Sequence, residues 1–128
     1  MDFATLTGAA RVALGPTVPA FFCNDEKCAQ MLSAASAASC DPVWQLPLVD
    51  DYRKLLKSKI ANIRNVPEGA AGGGAITAAL YLERFIGKEI SWIHVDCNGA
   101  GKDNQGEAQG MRAMYEFLQR RYNNDDSE

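Results

Sequence analysis

Met1 to Gly15 reads MDFATLTGAARVALG, and this opening decides how the rest of the chain is read. Asp2-Phe3-Ala4 reads as the end of a buried strand. Thr5-Leu6-Thr7-Gly8 then breaks the apolar run and hands over to an alanine-rich stretch. In open α/β sheets, ligands sit outside the carboxyl ends of the strands. The chain is therefore expected to open at an active-site edge, with preceding strands, and the chemistry they carry, outside this sequence.

The bulk numbers agree with a part of a domain. The 128 residues allow at most one domain. The apolar fraction is 47%, but much of it is alanine, which adds little buried area, so a thin core is expected. A net charge of -3 argues against a nucleic-acid partner. The one basic cluster, Arg53-Lys54, Lys57, Lys59 and Arg64, reads first as a solvated helix face, with a phosphate or acidic-partner site as the alternative. The four cysteines, Cys23, Cys28, Cys40 and Cys97, form no CxxC pair, and no zinc spacing is completed. They are expected to be reduced thiols, and the first three to be small buried hydrophobes or incidental thiols. No run reaches the ~18 apolar residues of a membrane span. The expected location is the cytoplasm, or alternatively a mitochondrial or other organelle matrix.

Along the chain, residues 1–6 read as a strand end and Val18–Cys23 as a strand weakened by Pro19. Asn24-Asp25 can cap a helix over about 25–39, which Asp41-Pro42 ends. Residues 43–48 read as extended, and Asp50 as the cap of a helix to about Ser58. Ile60 to Val66 alternates loosely, as a short strand would. Residues 67–74 are a glycine-rich loop, and 75–86 an apolar helix stopped by Gly87. Ile90 to Cys97 is the clearest strand, apolar enough to be covered on both faces. Residues 98–106 form a polar loop. Residues 107–122 form an amphipathic helix with Met111, Met114, Tyr115 and Leu118 on one side. The expected fold is α/β, part of a three-layer α/β/α sandwich with a mainly parallel sheet. It spans residues 1–122, with an acidic tail over 123–128.

Chemistry-bearing residues are few. His94, Asp96 and Cys97 are the only mixed metal-ligand cluster. On a strand His94 and Asp96 share one face and Cys97 points the other way. Two ligands do not make a site, so His94 and Asp96 read as a buried polar pair bonded to backbone or neighbours. The same geometry counts against a Cys97–His94 nucleophile pair. No catalytic residue and no metal ligand can be named. Thr5-Leu6-Thr7-Gly8 is the best functional candidate, and a plain strand-to-helix turn requiring Gly8 is its bland counterpart.

The same opening, with Asp41-Pro-Val-Trp-Gln-Leu-Pro-Leu48, Asp50-Asp-Tyr-Arg53 and Leu56-Lys-Ser-Lys-Ile-Ala-Asn62, resembles the C-terminal part of the leucyl aminopeptidase (M17) catalytic domain. The resemblance continues in order through Gly74-Ala-Ile-Thr-Ala-Ala-Leu80, Leu82-Glu-Arg-Phe85, Trp92-Ile-His-Val-Asp96 and Gly106-Glu-Ala-Gln-Gly110. It implies a metal-dependent aminopeptidase that removes N-terminal residues from peptides with two divalent metals, zinc or manganese. The family's metal-binding lysine, aspartates and NTDAEGR-type segment lie upstream of DFATLTGA, so none is expected here.

The resemblance implies Thr5, Leu6 and Gly8 as substrate-contacting positions and Val66 as part of the pocket beyond the scissile bond. It also implies that the loop after Cys97 walls the substrate's N-terminal side chain. There Asn98 stands for a small apolar residue and Gly101 for a larger one, which puts leucine specificity in doubt. An HxD such as His94-Val-Asp96 looks like a structural feature of the family.

Two roles follow. In the first, the chain supplies pocket wall to an oligomeric enzyme completed by an upstream aminopeptidase segment, and alone is inactive. In the second, it is a non-catalytic structural or interaction subunit among other proteins.

Overall fold

Phe21 and Phe22 are neighbours in sequence and both are fully buried. Successive strand side chains point to opposite faces, so the strand that carries them must be covered on both sides. The computed structural model describes residues 1–67, 69, 72–97 and 108–123. Strand β1 (Asp2–Ala4) leads to a short helix, α1 (Arg11–Leu14), then β2 (Ala20–Cys23), helix α2 (Glu26–Ser39) and β3 (Trp44–Gln45). A 3₁₀ helix (Asp50–Leu56), helix α3 (Gly74–Glu83), β4 (Ile93–Asp96) and helix α4 (Met111–Tyr122) complete the order.

The strands form one sheet in the order β1-β4-β2-β3. β4, the last in sequence, lies inside, parallel to β1 and antiparallel to β2, while β2 and β3 are parallel. Asp2, His94 and Phe22 lie in one cross-strand row and Ala4, Asp96 and Ala20 in another, so these side chains share a face. Phe22 and Ala20 pack there with Trp92, Ala10, Ala75 and Ala79, the last two from α3. On the opposite face Phe21, Val95 and Ile93 pack with Leu32 and Ala29 of α2 and Met114 and Phe117 of α4. Helices therefore cover both faces, and the expected three-layer α/β arrangement with mainly parallel pairing is what forms.

The alanines are contact surface rather than filler. Ala29, Ala35, Ala79 and Ala113 expose nothing, because a methyl side chain lets helix backbone approach sheet or helix closely. Asp25 caps α2 by accepting from Cys28 N–H at 3.2 Å. A second bond, from the Ser91 hydroxyl, holds its carboxyl below the ordinary range. Pro19 precedes β2, so its missing N–H costs the ladder nothing, and its carbonyl accepts from Trp44 N–H at 3.0 Å.

Three expectations are corrected. Residues 60–66 make no strand; Ile60 is 97% exposed, and Arg64 N–H bonds back to the Leu56 carbonyl at 2.8 Å, which bends the segment away from any sheet edge. The segment starting at Asp50 is a 3₁₀ helix ending at Leu56. The buried face of α4 is Ala113, Met114 and Phe117, whereas Met111 and Tyr115 are exposed; the close approach of α2 selects the face carrying the small Ala113. Of the two readings of Cys40, the incidental thiol holds and the buried hydrophobe does not: it is exposed, since it occupies the left-handed position that ends α2, at φ 50°.

All four cysteines are free. Burial pushes the Cys23 thiol up to about 11, against the opposing effect of a bond to the Asp25 backbone. Burial also raises Cys97. At pH 8 a soluble alkylating agent is expected to label Cys40 first and Cys23 and Cys97 far more slowly, because the thiolate is the nucleophile. Mass mapping of partly labelled chain checks this; equal rates at Cys23 and Cys40 would contradict it. The folded state holds the Cys23 proton longer than the unfolded chain, whose thiol titrates near 9.0. The stability this contributes is intact below that pH and is lost as pH rises towards about 11.

Candidate functional site

β1 and β4 run parallel, so their carboxyl ends lie side by side. The Cys97 N–H closes the last rung on the Ala4 carbonyl at 2.7 Å. Asp96, at the end of β4, is wholly buried and turns its carboxylate into the chain leaving β1. Oδ1 accepts from the backbone N–H of Leu6 at 3.0 Å and of Thr7 at 3.2 Å, and Oδ2 from the Thr7 hydroxyl at 2.7 Å. A turn rich in small polar residues thereby gains one fixed shape, because its amide donors are satisfied internally.

His94 lies one step back along β4 and takes no part in this. Its Nδ1 shares a 2.5 Å hydrogen bond with Asp2 Oδ1, and Trp92 Nε1–H donates to Asp2 Oδ2 at 2.6 Å. The ring stacks on Phe22 and Trp92 with centroids 6.0 and 5.8 Å away. Asp96 and His94 are thus buried polar groups bonded to neighbours, each to a different one. Cys97 packs against the core on the opposite face.

The outer side of the turn faces a cavity of about 350 Å³ lined by Leu6, Thr7, Asn65, Val66, Pro67, Thr77 and residues of α3 on towards Leu82. The glycines at the start of α3 place that wall. Gly73 has φ +68°, and a Cβ on it would come within 3.2 Å of the Tyr52 ring. A Cβ on Gly74 would meet Ala9 Cβ at 3.3 Å. α3 can therefore begin directly against the segment that follows the turn. Thr77, its buried polar residue, returns its hydroxyl to the Gly74 carbonyl at 3.1 Å, leaving mostly apolar surface towards the cavity. A volume near 350 Å³ is at the small end of ligand pockets and suits one or two amino-acid side chains. A larger hollow of about 690 Å³ beside Trp44 and Cys40 lies at the β3 edge, away from the turn.

Of the residues singled out from sequence, Leu6 and Val66 come together in this cavity from positions sixty apart in the chain. Thr5 and Gly8 are exposed on the same turn but do not line it. Asn98 and Gly101 lie outside the described residues. Thr7, from the turn singled out as the best functional candidate, lines the cavity, and Asn65, Thr77 and Tyr81 join it without having been expected to. The one signal that pointed their way was Thr77, a polar residue inside an otherwise apolar helix. Among the described residues no group of three or more His, Cys, Asp or Glu could hold a metal ion.

The profile of the cytosol aminopeptidase family, catalytic domain (Peptidase_M17), matches residues 1–117. This chain belongs to the cytosol aminopeptidase family.

A probable cytosol aminopeptidase of Chlorobium phaeobacteroides is 40% identical over 127 residues, which is 94% of this chain and 25% of that protein. One from Prochlorococcus marinus is 50% identical over 99 residues, 77% of this chain and 20% of the relative. The crystal structure of the cytosol aminopeptidase from Coxiella burnetii superposes with a TM-score of 0.86 at 43% identity, covering 94% of this chain and 28% of that one. A tomato leucine aminopeptidase mutant superposes at 0.82 with 36% identity, covering 93% and 24%. This member of the cytosol aminopeptidase family thus spans about a quarter of the length of the relatives it matches. Among its described residues no helix is long and apolar enough to cross a membrane.

Proposed function

We propose that the chain forms substrate-pocket wall of a metal-dependent, cytosolic aminopeptidase that removes N-terminal residues from peptides, with an upstream aminopeptidase segment completing it. The observation that carries this is the cavity uniting Leu6 and Thr7 with Asn65, Val66 and α3. The described residues do not fit a zinc or manganese site, so no metal step is assigned to them. Their part is to bind and orient. Asp96 fixes the turn by taking up the Leu6 and Thr7 N–H groups. That leaves the Leu6 side chain, Val66 and the apolar flank of α3 to receive a substrate side chain, with Thr5 and Gly8 as main-chain contacts. Asn98 and Gly101 would extend the wall on the side of the substrate's N-terminal residue.

The test is complementation. The chain is mixed with a cytosol aminopeptidase from which the matching quarter has been removed, with Mn²⁺ or Zn²⁺ added, and leucyl-amide and dipeptide hydrolysis are followed. A stable complex with turnover is expected. Val66→Trp, at a position 69% exposed and so tolerant of bulk, should raise KM for bulky dipeptides about tenfold or more with little effect on folding. Failure to form a complex would sink the proposal. A complex that forms but never turns over would put the non-catalytic subunit in its place.

A further inference from the structure

From Arg53 to Arg64 the sequence carries five cations and no carboxylate, in a chain of net charge -3. The fold adds two more cations from the end of α3. A hollow of about 190 Å³ has Arg53, Lys57, Asn62 and Arg84 among its walls. A second, of about 460 Å³, shares Arg53 and Arg84 with it and adds Asn24, Glu83 and Lys88. Neither shares a residue with the cavity at the turn.

Two carboxylates of this basin are already engaged, and a third, Glu89, lies against Gly87 in the wall of the larger hollow. Arg53 bonds Asp50 at 2.8 Å and Glu83 at 2.6 Å, which fixes the shared wall between the 3₁₀ helix and α3. Among the described residues no ion pair engages Lys57, Arg84 or Lys88. The end of α3 would repel an anion if its last carbonyls were bare. They are not: the carbonyls of Tyr81, Leu82 and Glu83 accept from the N–H groups of Arg84, Phe85 and Ile86 at 3.0–3.2 Å. What remains is a concave surface in which Arg53 is outweighed by its two carboxylates and three cations without an ion pair among the described residues, Lys57, Arg84 and Lys88, supply a net positive charge.

We propose that this basin binds a phosphate-bearing small molecule. Its oxyanion is held by Lys57 and Arg84 in the smaller hollow, and the rest of the molecule lies in the larger one beneath Lys88. A guanidinium fork with ammonium groups on either side matches a multiply charged phosphate better than a single carboxylate. The two joined hollows give room for more than the bare ion.

Calorimetric titration of the 128-residue chain with pyrophosphate and with inorganic phosphate, at about 50 mM salt where charges are weakly screened, tests this. Saturable binding of one pyrophosphate per chain is expected, tighter than that of citrate. Arg84→Ala and Lys57→Ala, both at exposed positions, should each weaken it about tenfold, the ordinary worth of a charge-assisted bond. Arg11→Ala removes the same charge from exposed α1 and should leave it unchanged. No saturable binding, equal weakening by Arg11→Ala, or citrate binding as tightly as pyrophosphate would each overturn the proposal.

Discussion

Asp96→Ala is expected to destabilise the chain by about 2–4 kcal/mol and to release the turn after β1. The side chain is wholly buried and receives three hydrogen bonds, from Leu6 N–H, Thr7 N–H and the Thr7 hydroxyl. Alanine would leave those donors facing a void, and unsatisfied buried donors carry the full desolvation penalty. For a domain of this size the loss corresponds to a fall in Tm of roughly 10 °C. Asp96→Asn retains one acceptor oxygen but points an amide at donors, so it should fall in between. Thr7→Val removes only the 2.7 Å bond and should cost about 1 kcal/mol. It folds even if the alanine variant does not. Thermal melts give the ranking, and amide exchange at Leu6 and Thr7 gives the location. An Asp96→Ala chain with unchanged Tm and unchanged protection at those two amides would refute the assignment. If the proposed function holds, the same variant should also weaken substrate binding in the complemented complex, because Leu6 moves with the turn.

The second large effect is at Asp41. Its carboxylate accepts from the N–H groups of Gly110 at 3.1 Å, Arg112 at 2.8 Å and Ala113 at 3.2 Å. It therefore caps α4 from a position about seventy residues earlier in the chain. The first N–H groups of a helix have no partner within it, and a carboxylate there also meets the positive end of the helix dipole. Gly110 permits the approach: its φ is +77°, and a Cβ on it would meet Val43 Cγ1 at 3.1 Å. Asp41→Ala is expected to cost about 2–3 kcal/mol, with fast amide exchange at Arg112 and Ala113 and loss of helix signal from α4. Ser36→Ala, which loses only the bonds to the Asp41 carbonyl and Val43 N–H, should cost less. Protection at Arg112 and Ala113 that survives Asp41→Ala would show that α4 is held by packing alone.

The partners of both residues lie far away in the sequence, beyond the reach of local pattern. β4 is legible because its apolar run leaves no other stable arrangement, and α2 because Asp25 stands where a cap belongs. Asp41 reads only as the end of α2, since nothing local hints that its carboxylate serves another helix. The buried face of α4 was displaced for a related reason. Met111 and Tyr115 are more apolar than Ala113, but the close approach of α2 favours the small residue. The site divides in the same way. Leu6 and Val66 follow from the resemblance and Thr7 from the candidate turn itself, while Thr77 and Tyr81 join them only because α3 starts against the segment that leaves the turn.

What the sequence determined by itself is the kind of protein: alternating strand and helix signals, strands apolar on both faces, and a family-ordered set of motifs. Those are local properties, set by the side-chain period and the turn residues over a few positions. The pairing of distant polar groups is set by how the elements pack: Asp96 with the Thr5–Gly8 turn, Asp41 with α4, and Arg53 with Glu83. The first two form because folding buries a carboxylate that must find donors wherever the sheet order brings them, and the third because the 3₁₀ helix packs against α3.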